Sequence, residues 1–551
     1  MAQRKSTRKA AAKPPAPAPT PAPPGRVPAW VPPFALGLAA FAVYANSLSN
    51  GFITDDQFQV LQSPVVTGAQ SLSAAFGAGV WAFLGYRGNY FRPLQFVVYG
   101  LIYRAFGPSA PAFHLLMALL HAVNTVLVYR LARRLLAGRM APAPWVAAAL
   151  FAVHPIHTEA VNWIAALPDV LTTTFALVGL CAFAAQEAAP NAWQAAGHCA
   201  LYFAALLTKE TGIMLLPLYA AYQCLRGVGT GGVGPPSAGP PRGGGAAGVG
   251  RRNGAMYAGM LGVLAAYLAM RVHALGGIAP GQKTFFHLGA AEFVMSAAVL
   301  AARYLAALVL PTSLNFFHVF HPATWASWKP AIALVALAEV AWGAWRFRRR
   351  EPLVPFAIFW MAAAIAPALN ISGVGQNVFA ERYLYLPSVG FALLAGLVWT
   401  RFASARPRWA WAAAAAVLLV FSVESIARNR DWKDDFTLLQ VTLRQSPDSG
   451  YLHNLMAGVW VHRDQFQKAL DEQKLAVRYD PRAPVYRKNL GNILLGVDPA
   501  AAAREFAVFV ALQPELAEAH YDLALAYRAM GETEKAAGEF RRAAAIDPRY
   551  K

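Results

Sequence analysis

At least ten apolar segments of about bilayer length recur along this chain. A helix of roughly 20 apolar residues spans the hydrocarbon of a bilayer, so the recurrence restricts the chain to a polytopic membrane protein with a smaller soluble part. Composition agrees: 57% of residues are hydrophobic and only 14% charged, against about 25% charged in a soluble domain. The uncommon polar residues are not scattered. Asp55-Asp56, His154/His157/Glu159, Lys209-Glu210 and Glu381-Arg382 all fall at the same end of the apolar segments. Ionisable groups are costly near lipid and tend to mark function, so several on one face point to a single site.

A formal charge of +20 invites a nucleic-acid reading, but its distribution argues for topology instead. Residues 1–26, 130–139, 226–252, 346–350 and 401–408 hold 21 Lys/Arg and no Asp or Glu. Placed in the cytoplasm, they satisfy the positive-inside bias. Residues 1–27 read as a disordered, basic, Pro/Ala-rich leader, followed by an uncleaved signal anchor at about 28–48. Further spans are expected at about 111–131, 143–156, 167–186, 192–208, 212–226, 254–271, 329–346, 352–370, 383–400 and 409–425, eleven in all. The first external loop is 49–92, with an interfacial helix at 93–106. A Gly/Pro linker at 227–252 is cytoplasmic. The apolar stretch 293–310 carries Arg303 in its middle and reads as re-entrant or partly buried. The expected fold is all-α: a membrane domain at 28–425, then a helical-repeat tail at 426–551 on the non-cytoplasmic side.

The tail is legible from its prolines. Pro447, Pro481, Pro514 and Pro548 are 34, 33 and 34 residues apart, the period of the tetratricopeptide (TPR) repeat. Leu523, Ala524, Tyr527, Ala536, Phe540, Ala543 and Pro548 fill the expected positions of the last repeat. About three repeats are expected. Cys181, Cys199 and Cys224 sit in apolar stretches and make neither a metal spacing nor a disulfide framework.

Chemistry has a few candidates. Asp55 and Asp56, just outside the first span, suit a general base or a metal ligand; a solvated turn is the plain alternative. His154, His157 and Glu159 fall within six residues, yet Pro155 breaks the helix and no third metal ligand stands nearby. They read as substrate contacts or as polar caps on a broken helix. Lys209, Arg303 and Arg382 can neutralise a phosphate near the interface, or serve as anchoring ion pairs; Glu210 shares the hairpin tip with Lys209. The clusters do not support a metal site, and no cofactor is indicated. No Gly-rich loop follows a strand, and no soluble α/β segment is long enough for a nucleotide-binding domain. The expected donor is therefore lipid-borne.

Seven segments, NGFITDDQF, FRPLQF, HPIHTEAV, LPDVL, LTKETGI, AERYLYLPSVGF and RNRDWKDDFTLL, occur in this order before the repeats. In this the chain resembles the TMTC family, the transmembrane and TPR-containing O-mannosyltransferases. The resemblance implies a GT-C glycosyltransferase fold that takes a sugar from a polyprenyl-phosphate carrier with inversion. It places the catalytic acid in the first external loop, on Asp55 or Asp56. The acceptor it implies is a hydroxyl of an exported protein or glycan, with mannose the family's sugar. The TPR surface would bind a peptide or protein partner, and the setting would be a bacterial inner membrane with the tail in the periplasm or outside. Two other readings share the sequence: a lipid-linked glycan polymerase or ligase, and a non-catalytic membrane scaffold displaying TPRs.

Overall fold

A computed structural model describes residues 28–86, 88–186, 189–228, 253–278, 280, 286–371, 375 and 377–550. The expected leader at 1–27 and most of the expected linker at 227–252 lie outside the described residues. Every regular element among the described residues is helical. Eight helices are long and apolar enough to cross a membrane. They are Val31–Ser49, Ala110–Leu135, Ile164–Ala185, Gly254–Leu275, Ala290–Val309, Lys329–Phe347, Pro387–Ala405 and Pro407–Trp432. Ala143–Val153 and Leu353–Leu369 are apolar but shorter, as are Ala192–Thr208 and Leu215–Val228. Three of these four break early for identifiable reasons. Pro155 cannot continue the helix that reaches His154, and Lys209 stands in extended backbone at the tip between 192–208 and 215–228.

The main core packs Ala110–Leu135 against the first helix and against 143–153 and 167–185. Its interior is made of fully buried groups such as Trp360, Tyr44, Tyr219 and Phe151. A second apolar patch gathers Leu300, Tyr304, Ile371, Phe379 and Leu384. Arg303 lies beside it, 4.2 Å from the Phe379 ring and 2.7 Å from His318 Nδ1.

The tail is three antiparallel helix pairs: Gly450–His462 with Phe466–Tyr479, Pro484–Leu495 with Pro499–Leu512, and Ala517–Ala529 with Thr533–Ile546. Small residues allow the approach. Ala457, Ala476, Ala502, Ala519, Ala524 and Ala543 are almost wholly buried. A β-carbon on Gly491 would stand 2.5 Å from the Phe506 ring, so that contact needs glycine. An additional helix, Asp435–Gln445, joins the pairs to the membrane helices. A third apolar cluster closes this junction, in which Ile53, Trp163 and Phe316 meet Trp432, Leu438, Leu452 and Met456.

Candidate active site

Prolines decide where the polar groups stand. Pro93, Pro155, Pro168 and Pro387 each occupy the first or second position of a helix. Proline fits there because its missing N–H would be unpaired in any case. Arg92, His154 and Glu381-Arg382, which come just before, are thereby held in turns at the helix mouths. Asp169 follows Pro168 in the first helical turn. At the remaining mouth, Gly212 folds back on the preceding helix. A β-carbon on it would lie 2.6 Å from the Ala205 backbone, so glycine is what lets Lys209 and Glu210 turn inward.

Arg92, Asp169, Lys209 and Glu210 at these mouths line a cavity of about 290 Å³. Its polar side carries Asn89, Arg92, Asp169, Lys209, Glu210 and Arg271; Ala364, Pro367, Ala368 and Leu386 make an apolar side. The charges are arranged as pairs. Lys209 is ion-paired with Asp169 and lies 4.9 Å from the Tyr383 ring. Burial pulls its ammonium down to about 8, against the upward pull of Asp169. Glu210 bridges two guanidiniums, Arg92 at 3.1 Å and Arg271 at 3.4 Å. Arg271 also donates to the Asn89 carbonyl at 2.7 Å and to its side chain at 2.6 Å. Three cations against two carboxylates leave the rim with a surplus positive charge.

Outside the cavity lining stand two buried ion pairs built from neighbouring residues. Glu159 is fully buried and binds the Arg382 guanidinium, while its second oxygen takes the Arg382 main-chain N–H at 3.0 Å. Glu381, also fully buried, binds Arg428 at 3.0 Å and the Asn315 main-chain N–H. Removing one member of such a pair leaves a buried charge uncompensated, at a cost of about 3–5 kcal/mol. Arg382 further lies 4.8 Å from the rings of both Trp163 and Tyr383.

The two aspartates of the first loop differ. Asp56 is fully buried, and both its oxygens are occupied by main-chain donors: Ile53 at 3.2 Å and Ala165 at 2.7 Å. It pins the loop to the 164–166 turn. Asp55 is half-buried, and its carboxylate takes no hydrogen bond among the described residues. Burial raises its pKa to about 6, while the charges of Arg382 and Arg92 hold it lower than burial alone would. Arg92 lines the cavity and Arg382 lies against Tyr383 of its lining, so Asp55 stands within electrostatic reach of the cations at the cavity.

Of the expected site residues, Lys209 and Glu210 line the cavity; Arg382, paired with Glu159, reaches it through the Tyr383 ring, and Asp55 lies outside the lining. His154, His157 and Arg303 stand apart from its lining. His154 accepts from the Ile156 N–H and meets the Leu308 carbonyl at 2.9 Å. His157 meets Ser388 at 2.8 Å among Phe151 and Tyr385. Arg92, Asp169 and Arg271 are site residues that the sequence reading passed over. Arg92 and Asp169 lie inside the segments FRPLQF and LPDVL, and Arg271 is a charge at the end of an apolar helix; those were the available signals. Among the described residues, no three of His, Cys, Asp and Glu gather as metal ligands would.

Several curated proteins align with most of the chain. Mouse protein O-mannosyl-transferase TMTC3 is 25% identical over 82% of this chain and 51% of its own length. Drosophila protein O-mannosyl-transferase Tmtc1 is 27% identical over 74% of this chain and 57% of its own length. The chain is TMTC-like. Residues 517–550 match the tetratricopeptide repeat family. Drosophila Tmtc2 is 36% identical over a shorter stretch, 34% of this chain and 21% of its own length. The chain spans about half the length of the TMTC3 relatives it matches. Among solved structures, the archaeal oligosaccharyltransferase AglB of Archaeoglobus fulgidus overlaps 73% of this chain and 56% of its own, with 14% identity and a TM-score of 0.37. The long apolar helices and the TMTC-like sequence make this an integral membrane protein.

Proposed function

We propose that this chain is a membrane glycosyltransferase that moves a sugar from a polyprenyl-phosphate carrier to a hydroxyl acceptor, with inversion at the anomeric carbon. The observation that carries the reading is a cavity that is cationic on one side and apolar on the other, whose Arg92, with Arg382, acts electrostatically on an Asp55 carboxylate that takes no hydrogen bond among the described residues. The Asp55 carboxylate takes the proton of the acceptor hydroxyl as its oxygen attacks the anomeric carbon. The bond from that carbon to the phosphate oxygen breaks, and the phosphate leaves with the electron pair. Charge builds on the departing phosphate and is balanced by guanidinium and ammonium groups already in place. Arg92, Arg271 and Lys209 on the rim supply them, and the apolar side suits the first prenyl units. The oxocarbenium-like carbon of such a transition state lies between the two. The similarity to protein O-mannosyl-transferases favours mannose as the sugar and a protein Ser or Thr as the acceptor. The TPR pairs offer a concave surface for that protein or for a partner. Membrane domain and tail divide near residue 425, with the active site and tail on the non-cytoplasmic face.

The test uses the purified full chain with polyprenyl-phosphate mannose, or with GDP-mannose and no lipid, and a Ser/Thr-containing peptide read by intact mass. Hexose addition with the lipid donor alone is the expected result. Transfer from the nucleotide sugar, or none from either donor, removes the reading. Transfer to a lipid-linked glycan but not to peptide favours the polymerase.

A further inference from the structure

The first loop and the start of the tail are interlocked, though about 380 residues apart in sequence. Thr54, immediately before Asp55, has φ +44, a left-handed conformation that a β-branched residue adopts only when its surroundings compel it. The compelling contact comes from the tail. Asp435 Oδ1 accepts the Thr54 main-chain N–H at 2.7 Å, and its Oδ2 accepts the Gln57 side-chain amide at 2.6 Å. One carboxylate therefore grips both sides of the Asp55-Asp56 pair. Its neighbour Asp434 is occupied otherwise, capping the tail's first helix by accepting from Thr437 at 2.8 Å.

Further bonds hold the two segments in register. The Gly51 N–H donates to the Lys433 carbonyl at 2.9 Å, and Asn50 donates to the Asn429 carbonyl at 3.0 Å. Asn429 in turn donates to the Val43 carbonyl and to Asn46, and accepts from Asn162. Trp432, 1% exposed, anchors the junction against Phe316. A tail that merely carried repeats would need attachment, but not a carboxylate placed against the strained residue beside the base.

We propose that Asp435 is a positioning residue for the transfer reaction: the tail's first helix sets the conformation of Thr54 and so fixes where Asp55 stands. The proposal rests on Asp55 being the base. It makes the tail part of the active site's framework as well as a display surface.

The experiment compares the full-length parent with Asp435→Ala, Asp435→Asn and Asp55→Asn, using polyprenyl-phosphate mannose and a Ser/Thr peptide. A displacement of the base by ~1 Å costs on the order of 10²-fold in rate. Asp435→Ala is expected to lower kcat 10- to 100-fold, with the donor KM within about twofold because the cavity is untouched. Its acid limb should move to lower pH, since a loosened loop lets water reach Asp55. In Asp435→Asn the remaining oxygen still accepts from Thr54, and the Gln57 amide can turn over, so most of the lost rate returns. A purely structural contact would reduce the amount of folded enzyme and leave the kcat per folded molecule and the acid limb where they were; that result overturns the proposal. Hydrogen exchange at residues 51–57 reads the clamp without turnover. It should quicken in Asp435→Ala and not in Asp435→Asn, and unchanged exchange in Asp435→Ala also overturns it. If Asp435→Ala does not accumulate, Asp435→Ser keeps a small polar residue in the helix's first turn but cannot reach the Thr54 N–H and the Gln57 amide together. A parental kcat and acid limb in Asp435→Ser would again sink the clamp. Should Asp55→Asn transfer sugar at the parental rate, the base assignment fails, whereas the exchange data still decide the clamp.

Discussion

Asp55 and Asp56 are neighbours with opposite duties, and substitution should separate them. Asn at 55 cannot take a proton, so transfer should fall by about 10²–10⁴-fold while the fold is kept, because no hydrogen bond among the described residues depends on that carboxylate. Asn at 56 keeps one acceptor oxygen and turns an amide towards a main-chain N–H that Asp56 now satisfies. Leaving that donor unpaired should cost about 1–3 kcal/mol, read as a lower unfolding temperature, with transfer reduced through the loop. Equal loss of activity at unchanged stability in both variants would contradict this division. The pH profile belongs to the same residue. Burial holds Asp55 up to about 6, and a base must be ionised. Therefore kcat/KM should fall as the pH drops through about 6 and level off above it. An acid limb near 4, the range of an ordinary solvated carboxyl, would show that the base is elsewhere. Legibility was mixed at this scale. The Asp pair stood out in the sequence, but which member is free depends on Ala165, over a hundred residues away.

Helix ends, more than helices, build the site. The hairpin that delivers Lys209 and Glu210 relies on Gly212, whose α-hydrogen faces the Ala205 backbone with no room for a methyl group. Gly212→Ala should cost about 1–3 kcal/mol through forced backbone shifts. It should also impair donor use, because Lys209 and Glu210 both line the cavity. Parental stability and donor KM in Gly212→Ala would show that the turn relaxes freely. Lys209 was readable as a polar residue at a hairpin tip, yet its ion pair with Asp169 was not, since the partner lies on another helix. The same holds for Glu210, which looked like the partner of its neighbour Lys209 and instead bridges Arg92 and Arg271. His154 and His157 stand beside a broken helix as the Pro155 signal implied, but their rings point into packing with Leu308 and Ser388.

At the scale of the molecule, the tail and the membrane helices meet through the cluster around Trp432 and through the Asn429 and Asp435 contacts. That junction ties the side on which the tail lies to the side on which Asp55 lies. A reporter fused after residue 551 is expected to be active only outside the cytoplasm, and a cysteine placed in 49–92 should be labelled from that same side. A cytoplasmic reporter would overturn the proposed orientation for tail and site together. Labelling of the two from opposite sides would contradict the junction itself.

What the sequence by itself determined was whatever depends on local pattern. Apolar length marks the membrane helices, a proline spacing of 33 or 34 residues marks the repeats, and polar residues interrupting apolar runs mark where helices break and charges pair. These signals survive in one dimension because periodicity and burial act on consecutive residues. Tertiary structure alone decided the pairing of charges: Glu159 with Arg382, Glu381 with Arg428, Asp169 with Lys209, and Asp435 with the Thr54 main chain. A carboxylate's role is set by which donors reach it and by how much water remains around it. Both are fixed by helices that meet only after folding, which is why two adjacent aspartates, alike in sequence, end as a structural pin and a carboxylate that takes no hydrogen bond among the described residues.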